Sequence, residues 1–381
     1  MNDARGGILA ASRVWAAERP CVCVLVGSDD SDTVPDDTQH LISAWQELGL
    51  QVEFTKWQGS EPKSGILLPL GTWDYAEDRD GFAARMRALR AGGAQPAADL
   101  EAVAWHSHKA YLVELEAEGV PTVPTRVLRA CGDSSEAAAA AFAAAAASLG
   151  SPNELVTKPA VGTRGDGVER LSRGEGCPVW LLPLLCARDY LLQPFLPEVA
   201  RRGEVCLVFV NGELLHAVHK DPAGWGGDEA GVADVGNAAD AARRRSPSTP
   251  DPCAPAAPAA PATATAAATS CAAAPAHHPS FRQCVRRLSP PPAALVATAR
   301  RALRVVAARC GGDLYLARVD LLPTASGTWL VSELELGWPE LFLRANPAAA
   351  DRVAAGVLRY LPPGRLTPCM RAAQESWQDG R

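Results

Sequence analysis

The chain has 381 residues, of which 48% are hydrophobic and 21% charged, and its formal net charge is −6. This length is enough for two or three domains with cores of their own. The acidic balance, with no basic stripe on any predicted element, argues against a nucleic-acid partner. No apolar run approaches the roughly 18 residues that cross a membrane.

The 11 cysteines are an odd number with irregular spacing, and no secretory signal is recognised before them. We therefore expect reduced thiols and an intracellular protein, most simply a cytoplasmic one, with an organelle left open. Cys21 and Cys23 lie in an apolar strand pattern and are expected to be buried side chains rather than metal ligands.

The first hundred residues predict a small layer of the βαβ type. Residues 21–27 form an apolar run typical of a buried parallel strand. The layer continues with helices over 38–48 and 82–89 and with strands over 51–57 and 65–70. The sequence Thr-Trp-Asp-Tyr at 72–75 follows the third strand.

The next hundred residues predict further helices and strands. A helix over 105–119 carries Lys109, and Ser134 caps an alanine-rich helix that runs to Leu149. We also predict a helical piece over 179–188 and extended segments over 121–128 and 190–195.

A glycine-rich turn in this part indicates phosphate binding. A short apolar strand at 155–157 leads directly to Lys158 and then to three glycines, which are Gly162, Gly165 and Gly167. Glycines allow backbone N–H groups to turn toward an anion, and the lysine supplies a point charge. The alternative is an ordinary glycine-rich β-hairpin.

The second half of the chain contains a break in composition. A hairpin over 204–220 turns at Asn211-Gly212, a strong type I′ signal. Residues 224–280 are alanine, proline, threonine and glycine with almost no large apolar side chain, so we predict a disordered insertion. Structure resumes with a helix over 292–310, strands over 314–322 and 328–336 and a final helix over 351–360.

Two of these strands predict a cluster of carboxylates. Side chains alternate along a strand, so Arg318 and Asp320 share one face, and Glu333 and Glu335 share another. If the strands pair antiparallel, three carboxylates meet on one surface and repel one another unless a cation offsets them. Oxygen ligands without a nearby histidine point to Mg²⁺ or Mn²⁺ holding a polyphosphate. A solvated strand face is the alternative.

The order of these motifs resembles the ATP-grasp superfamily, in the branch near bacterial glutathione synthetase. The chain is most similar in pattern to ATP-grasp proteins of the O-ureido-serine cyclo-ligase type. The resemblance rests on TWDY, GVPTVPT, KPAVG, QPFLPEV, HAVHK, YLARVD and ELELGWPELFLR, which cover nearly the whole chain outside 224–280.

The resemblance implies a fold and a set of domains. It implies an α/β chain, α+β in the ATP-grasp part, in which an N-terminal βαβ layer precedes two ATP-grasp subdomains. The predicted divisions are an N-terminal domain at 1–104, a small subdomain at 105–196, a large subdomain at 197–223 and 281–365, the insertion at 224–280 and a tail at 366–381.

The resemblance also implies roles for individual residues. Lys109 and Lys158 would contact ATP phosphates, with Gly162, Gly165 and Gly167 forming a lid. Positions implied to contact adenine, ribose, metal or substrate are Gln193, Pro194, Phe195 and Leu196 in the hinge, Glu204 at the ribose, Asp320, Glu333 and Glu335 at Mg²⁺, and Lys220 and Arg282 near phosphates and substrate.

The function implied is an ATP- and Mg²⁺-dependent ligase that joins a carboxylate to an amine, or cyclises, through an acylphosphate. Its partner would be a small amino-acid-like molecule, and a homo-oligomer is possible. Leu70 stands where the family commonly has arginine, His106 where it has asparagine, and Phe281-Arg282-Gln283-Cys284 where it has Phe-Arg-Val-Gln. An ATP-binding protein with a regulatory or partner-binding role therefore stays open, as does a scaffold that binds no ATP.

Overall fold

A computed structural model describes residues 20–27, 36–62, 65–163, 165–172, 176–222, 285–337 and 339–378. The insertion predicted over 224–280 and Arg282 lie outside these residues. Within them the strands form three sheets, with helices packed against them. The mixed α/β class is confirmed, while the exact domain boundaries stay a prediction. None of the helices in these ranges combines the length and apolar character of a membrane span.

The first sheet is the predicted βαβ layer. Its three strands are parallel in the order β2-β1-β3. Alternate side chains of the first strand enter two different cores, because helices cover both faces: Val24 packs with Trp45, and Leu25 with Phe82. The elements are β1 (Cys21–Val26), α1 (Asp36–Glu47), β2 (Gln51–Lys56), β3 (Ile66–Gly71), a 3₁₀ helix (Trp73–Ala76), α2 (Arg79–Ala91) and α3 (Ala97–His106).

The second sheet is antiparallel in the order β4-β7-β5-β6. Leu155 and Tyr190 from the sheet pack on Phe142 in a buried cluster. The predicted cap is confirmed, since the Ser134 hydroxyl accepts a hydrogen bond from the Ala137 N–H at 3.1 Å. The elements are α4 (Tyr111–Ala117), β4 (Arg126–Leu128), α5 (Ser135–Ser148), β5 (Glu154–Pro159), β6 (Glu169–Ser172), α6 (Leu182–Ala187) and β7 (Tyr190–Pro194).

The third sheet is antiparallel in the order β10-β9-β8-β11-β12. Its apolar face packs against the long helix α8, and its other face carries the charged side chains described below. Asn211 and Gly212 have φ angles of 50° and 79°, which confirms the predicted hairpin turn. The elements are α7 (Glu198–Arg202), β8 (Glu204–Val210), β9 (Glu213–Lys220), β10 (Val285–Leu288), α8 (Ala293–Cys310), β11 (Leu316–Pro323), β12 (Trp329–Leu336) and α9 (Ala349–Gly356).

The predicted helix over 105–119 is wrong as a single element. Helix α3 ends at His106 and α4 begins at Tyr111, so Lys109 lies in the turn between them rather than on a helix. The turn is held from outside, because the Lys109 N–H donates to the Ala160 carbonyl at 2.7 Å.

Residues 368–378, in the part predicted as a tail, form a helix. The predicted last helix becomes α9 followed by a 3₁₀ turn, Val357–Tyr360, and a further helix follows, α10 (Pro368–Gln378). Met370 on α10 is fully buried in the core that α1 and the first sheet share. This helix therefore belongs to the folded unit.

Candidate active site

Three carboxylates lie on one face of the third sheet, as predicted. Strands β11 and β12 pair antiparallel with Asp320 opposite Glu333 and Arg318 opposite Glu335. Leu334 and Leu336 point to the other face, where they are buried against α8. Burial of this second face fixes the parity of the strand, because a slip of one residue would bring the glutamates into the core.

Arg318 offsets part of this negative charge, which corrects the expectation that only a bound cation could do so. Its Nε and Nη2 donate to the two Asp320 carboxylate oxygens at 2.7 and 2.8 Å, and Nη2 also donates to Glu335. Burial alone would raise the pKa of Asp320, but Arg318 and Lys220 outweigh it and hold that pKa well below its usual range. Sequence reasoning placed Arg318 on this face without giving it a role.

Lys109 reaches Glu333 from the turn between α3 and α4. Its Nζ donates to Glu333 Oε1 at 2.7 Å and to the Gly162 carbonyl at 3.0 Å. Burial would raise the pKa of Glu333, but Lys109 and then Lys158 lower it to about 2. The hydroxyl of Tyr75 donates to the same Gly162 carbonyl at 3.4 Å, so the N-terminal layer contacts this site directly.

Lys158 lies near the end of β5, beside this pair. Burial lowers the pKa of its ammonium below the usual value, the nearby Lys109 adds to the effect, and Glu333 and Glu204 oppose it. Among the described residues, none forms a hydrogen bond or an ion pair with this ammonium. A desolvated cation without a partner is costly, and an anion placed beside it would remove that cost.

Glu204 is the first residue of the β8–β9 hairpin and Lys220 is the last, and the two lie opposite each other in the pairing. Lys220 Nζ lies 3.7 Å from Glu204 Oε1 and 3.9 Å from Asp320 Oδ2. Burial raises the pKa of Glu204 to about 7. The Cys206 thiol donates to Glu204 at 3.7 Å. Glu204, Cys206 and Asp320 have ligand atoms within 4.8 Å of one another, and no histidine joins this group in the described ranges.

Comparisons with known proteins show what the chain as a whole is similar to. A family model described as the N-terminal domain of D-cycloserine synthetase DcsG matches residues 23–97. The cycloserine biosynthesis protein DcsG of Streptomyces lavendulae is 27% identical over 205 residues, which cover 52% of this chain and 67% of that protein. The crystal structure of D-cycloserine synthetase DcsG has a TM-score of 0.67 at 23% identity and covers 90% of this chain and 100% of its own.

The crystal structure of the RimK domain protein ATP-grasp from Sphaerobacter thermophilus has a TM-score of 0.51 at 17% identity and covers 88% of this chain and 100% of its own. The chain has the ATP-grasp fold. The D-alanine–D-alanine ligase of Bacillus anthracis, with a TM-score of 0.55 at 12% identity over 94% of this chain and 99% of its own, agrees with this assignment. The resemblance to ATP-grasp proteins of the cycloserine-synthetase type is confirmed.

The predicted lid follows the end of β5 and the predicted hinge follows the end of β7, and because these two strands are antiparallel neighbours, lid and hinge lie at opposite ends of the second sheet. Gly165 and Gly167 have φ angles of 75° and 68°, which favour glycine, and they form the turn between β5 and β6. The hinge at 193–196 follows β7 and leads through α7 into the third sheet. Gln193 is fixed there, since its amide donates to Thr125 Oγ1 at 2.8 Å. The contacts of these residues with nucleotide stay a prediction.

The two departures from the family pattern that the structure describes are both buried. Leu70 packs in the core between the first sheet and α9, so no charge is available at that position. Burial, with a smaller effect from Lys109, lowers the pKa of His106 to about 3, and its imidazole is neutral at pH 7.

The carboxylate donors suit Mg²⁺, a metal that ATP-grasp proteins commonly use. Asp320 and Glu333 keep pKa values below their usual range and are therefore ionised at neutral pH. Hard oxygen donors are the ligands this ion prefers. In this structure Arg318 pairs with Asp320 and Glu335, and Lys109 pairs with Glu333, so the chain's own cations neutralise part of the carboxylate charge on the sheet face.

Proposed function

We propose that this chain is an ATP- and Mg²⁺-dependent ligase that activates a small amino-acid-like carboxylate and joins it to an amine. The amine belongs to a second molecule or, in a cyclisation, to the same one. The names of the relatives support this class, since one is a D-cycloserine synthetase and another a D-alanine–D-alanine ligase. The fold supports the proposed binding of ATP, and the charged residues of the third sheet support the proposed phosphoryl transfer.

The observation that carries the proposal is the Lys158 ammonium, half-buried and unpaired among the described residues, beside Lys109 and the carboxylates. A polyphosphate anion would satisfy it with charge-assisted hydrogen bonds. Lys109 is already oriented toward the same point by the Gly162 carbonyl and Glu333. Two lysines and an acidic metal-binding face are the parts that phosphoryl transfer requires.

The reaction proceeds in two steps. A carboxylate oxygen of the substrate attacks the γ-phosphorus, the bond to the bridging oxygen of ADP breaks, and an acylphosphate results. An amine nitrogen then attacks the acyl carbon, phosphate leaves with the C–O bond electrons, and the nitrogen loses a proton. The glycine turn would close over the acylphosphate and keep water from hydrolysing it.

The chain's own groups would act through charge and position. Asp320, Glu333 and Glu335 would hold Mg²⁺, which supplies neutralisation of the phosphate oxygens when bound. Lys109 and Lys158 would bind phosphate oxygens. Lys220 and Arg318 lie on the same face as the carboxylates, where their positive charge would offset negative charge that develops on the transferred phosphoryl group. Arg282, also proposed there, lies outside the described residues.

The test is ADP release with Mg²⁺ and ATP across a panel of amino acids and hydroxy acids, beginning with O-ureido-serine. We expect release that depends on the added substrate. It should fall by orders of magnitude in Asp320→Asn, Glu333→Gln and Glu335→Gln, because each removes a metal-binding charge. Glu213→Gln, a change on the exposed end of β9, is the matched control. Normal release in all three variants would show that the carboxylates serve only in ion pairs with Arg318 and Lys109.

ATP binding without substrate-dependent ADP release over the whole panel would instead favour an ATP-grasp protein that binds nucleotide for a regulatory purpose.

A further inference from the structure

The segment at 340–343, between β12 and α9, is fixed by three different elements. The Glu340 carbonyl accepts from Arg318 Nη1 at 3.2 Å, the Leu341 carbonyl from His216 Nε2 at 2.8 Å, and the Leu343 N–H donates to Asp37 Oδ1 at 2.9 Å. These partners lie on β11, β9 and α1. The backbone on both sides of position 342 therefore has little freedom to move.

The imidazole of His216 is neutral when it donates its hydrogen bond to the Leu341 carbonyl. Burial lowers the pKa of His216 to about 4. Asn346 Nδ2, an amide nitrogen that can only donate, lies 3.2 Å from His216 Nδ1, so the ring proton is on Nε2 and is donated to the Leu341 carbonyl. The anchor is thus unchanged over the pH range in which the protein would work.

Phe342, in the middle of this segment, has a strained backbone. Its φ of 53° and ψ of 37° lie in the left-handed region, which a bulky residue without a special reason avoids. Such strain persists only where the surroundings over-determine it, and it often marks a functional site. The three anchors described above supply the over-determination.

The ring of Phe342 lies among cations. Arg318 Cζ is 5.1 Å from the ring centroid, Arg344 Cζ 5.3 Å and Lys220 Nζ 5.4 Å. All three distances fall within the range in which a cation is attracted to the face of an aromatic ring. The ring is only 1% exposed, so water does little to weaken this attraction.

We propose that Phe342 is a positioning residue that holds Arg318 and Lys220 at the active site through its aromatic ring. The inference rests on the proposed function, because it gives these cations a role in phosphoryl transfer. The N–H donors of Arg318 lie in the plane of its guanidinium and bind Asp320, Glu335 and the Glu340 carbonyl. Those bonds fix the group within its plane, and the ring contact limits its displacement out of that plane.

Fluorination of the ring tests this directly. In the full chain, Phe342 is replaced by phenylalanines with one, two or three ring fluorines, which weaken the cation–ring attraction and barely change the shape. The same series at Phe209 is the matched control. Phe209 is also 1% exposed, but it lies on the opposite face of the sheet and has no cation–ring contact within the described residues.

Three quantities are measured: kcat for ADP release, the affinity for a non-hydrolysable ATP analogue with Mg²⁺ by calorimetry, and Tm. We expect kcat or the affinity to fall stepwise at position 342, by about tenfold across the series, and to stay level at position 209. Small shifts in Tm should be alike at the two positions.

One result would overturn the proposal: a level series at 342 in both kcat and affinity. A fall in Tm alongside it would show that the ring has a purely structural role. If the wild-type chain releases no ADP with any substrate, the ligase function fails. A stepwise fall in affinity would then still support the positioning role, and a level affinity series would overturn it.

Discussion

Charge on the active-site face is balanced residue by residue. Arg318 pairs with Asp320 and Glu335, Lys109 with Glu333, and Lys220 lies between Glu204 and Asp320. Lys158 differs from Lys109 and Lys220, because none of the described residues forms an ion pair with it. The arrangement leaves one cation ready for an incoming anion while the rest of the site is neutralised.

Lys158→Ala should therefore weaken ATP binding about 10- to 100-fold, the effect of losing one charge-assisted hydrogen bond of about 1.5–3 kcal/mol. Calorimetric titration with a non-hydrolysable analogue measures it. Lys56→Ala, on an exposed lysine of β2, should bind like the wild type. An unchanged affinity in the Lys158 variant would refute the placement of the phosphates beside β5.

Glu335→Gln should change how stability depends on pH. Burial, with the neighbouring Asp320 and Glu333, raises the pKa of Glu335 to about 7 although Arg318 opposes this. The folded chain thus binds this proton more tightly than the unfolded chain. Protonation of Glu335 stabilises the folded chain fully below a pH of about 4.5, and this stabilisation is lost as the pH rises through about 7.

Because glutamine cannot ionise, the Glu335→Gln variant should be more stable than the wild type by about 2 kcal/mol near pH 8 without metal. The difference should shrink toward about pH 5. Melting curves at several pH values measure this, with Glu213→Gln as the exposed control. A variant less stable than the wild type near pH 8 would mean that the Arg318 ion pair outweighs the burial of the charge.

At the scale of elements, the C-terminal helix α10 contributes to the main core. Met370 is fully buried, and Ala373 and Trp377 on the same helix pack partly against the same cluster. Their spacing of three and seven residues is that of one helical face. This periodic signal was present in the stretch that the sequence analysis treated as a tail.

Met370→Ala should lower the free energy of unfolding by about 2–4 kcal/mol, because it removes a buried side chain and leaves a cavity. Cys369→Ala, at the exposed neighbouring position, should cost less than about 0.5 kcal/mol. Chemical denaturation of both variants compares them. Equal stabilities would indicate that α10 does not dock on the core in solution.

At the scale of the whole molecule, the site draws on all three sheets. Tyr75 follows the first sheet, Lys158 comes from the second, and the carboxylates come from the third. Tyr75 and Lys109 meet at the Gly162 carbonyl, where the glycine turn begins. A ligand that touches all three parts would therefore stabilise their mutual packing as well as its own contacts.

We expect a non-hydrolysable ATP analogue with Mg²⁺ to stabilise the chain by about 2.7 kcal/mol at a concentration of about 100 times its Kd. Omitting Mg²⁺ should remove most of the gain, because the ion offsets phosphate charge that the site's cations, already paired with carboxylates, do not offset. Thermal melting measures this. Glu333→Gln and Lys158→Ala should lose most of the shift, and a full shift in both would place the nucleotide elsewhere.

The sequence by itself determined several of the local elements and the parity of the strands. The apolar run at 21–26 became the buried strand β1, because both faces of a parallel sheet are covered by helices. Ser134 and Asn211-Gly212 gave the cap and the turn that their chemistry predicts. The alternation in β12 put Glu333 and Glu335 on one face, since parity depends only on the chain's own spacing.

Only the tertiary structure decided which charged groups meet and where Lys109 lies. Residues 105–118 contain no glycine or proline, so the local pattern favours one continuous helix, whereas the structure has a turn there that a hydrogen bond from the Lys109 N–H to the Ala160 carbonyl holds in place. Arg318 and Phe342 are 24 positions apart and Lys109 and Glu333 are 224 apart, and the contact within each pair depends on strand pairing and loop path. Such long-range contacts arise from packing of distant segments, and local sequence patterns do not specify them.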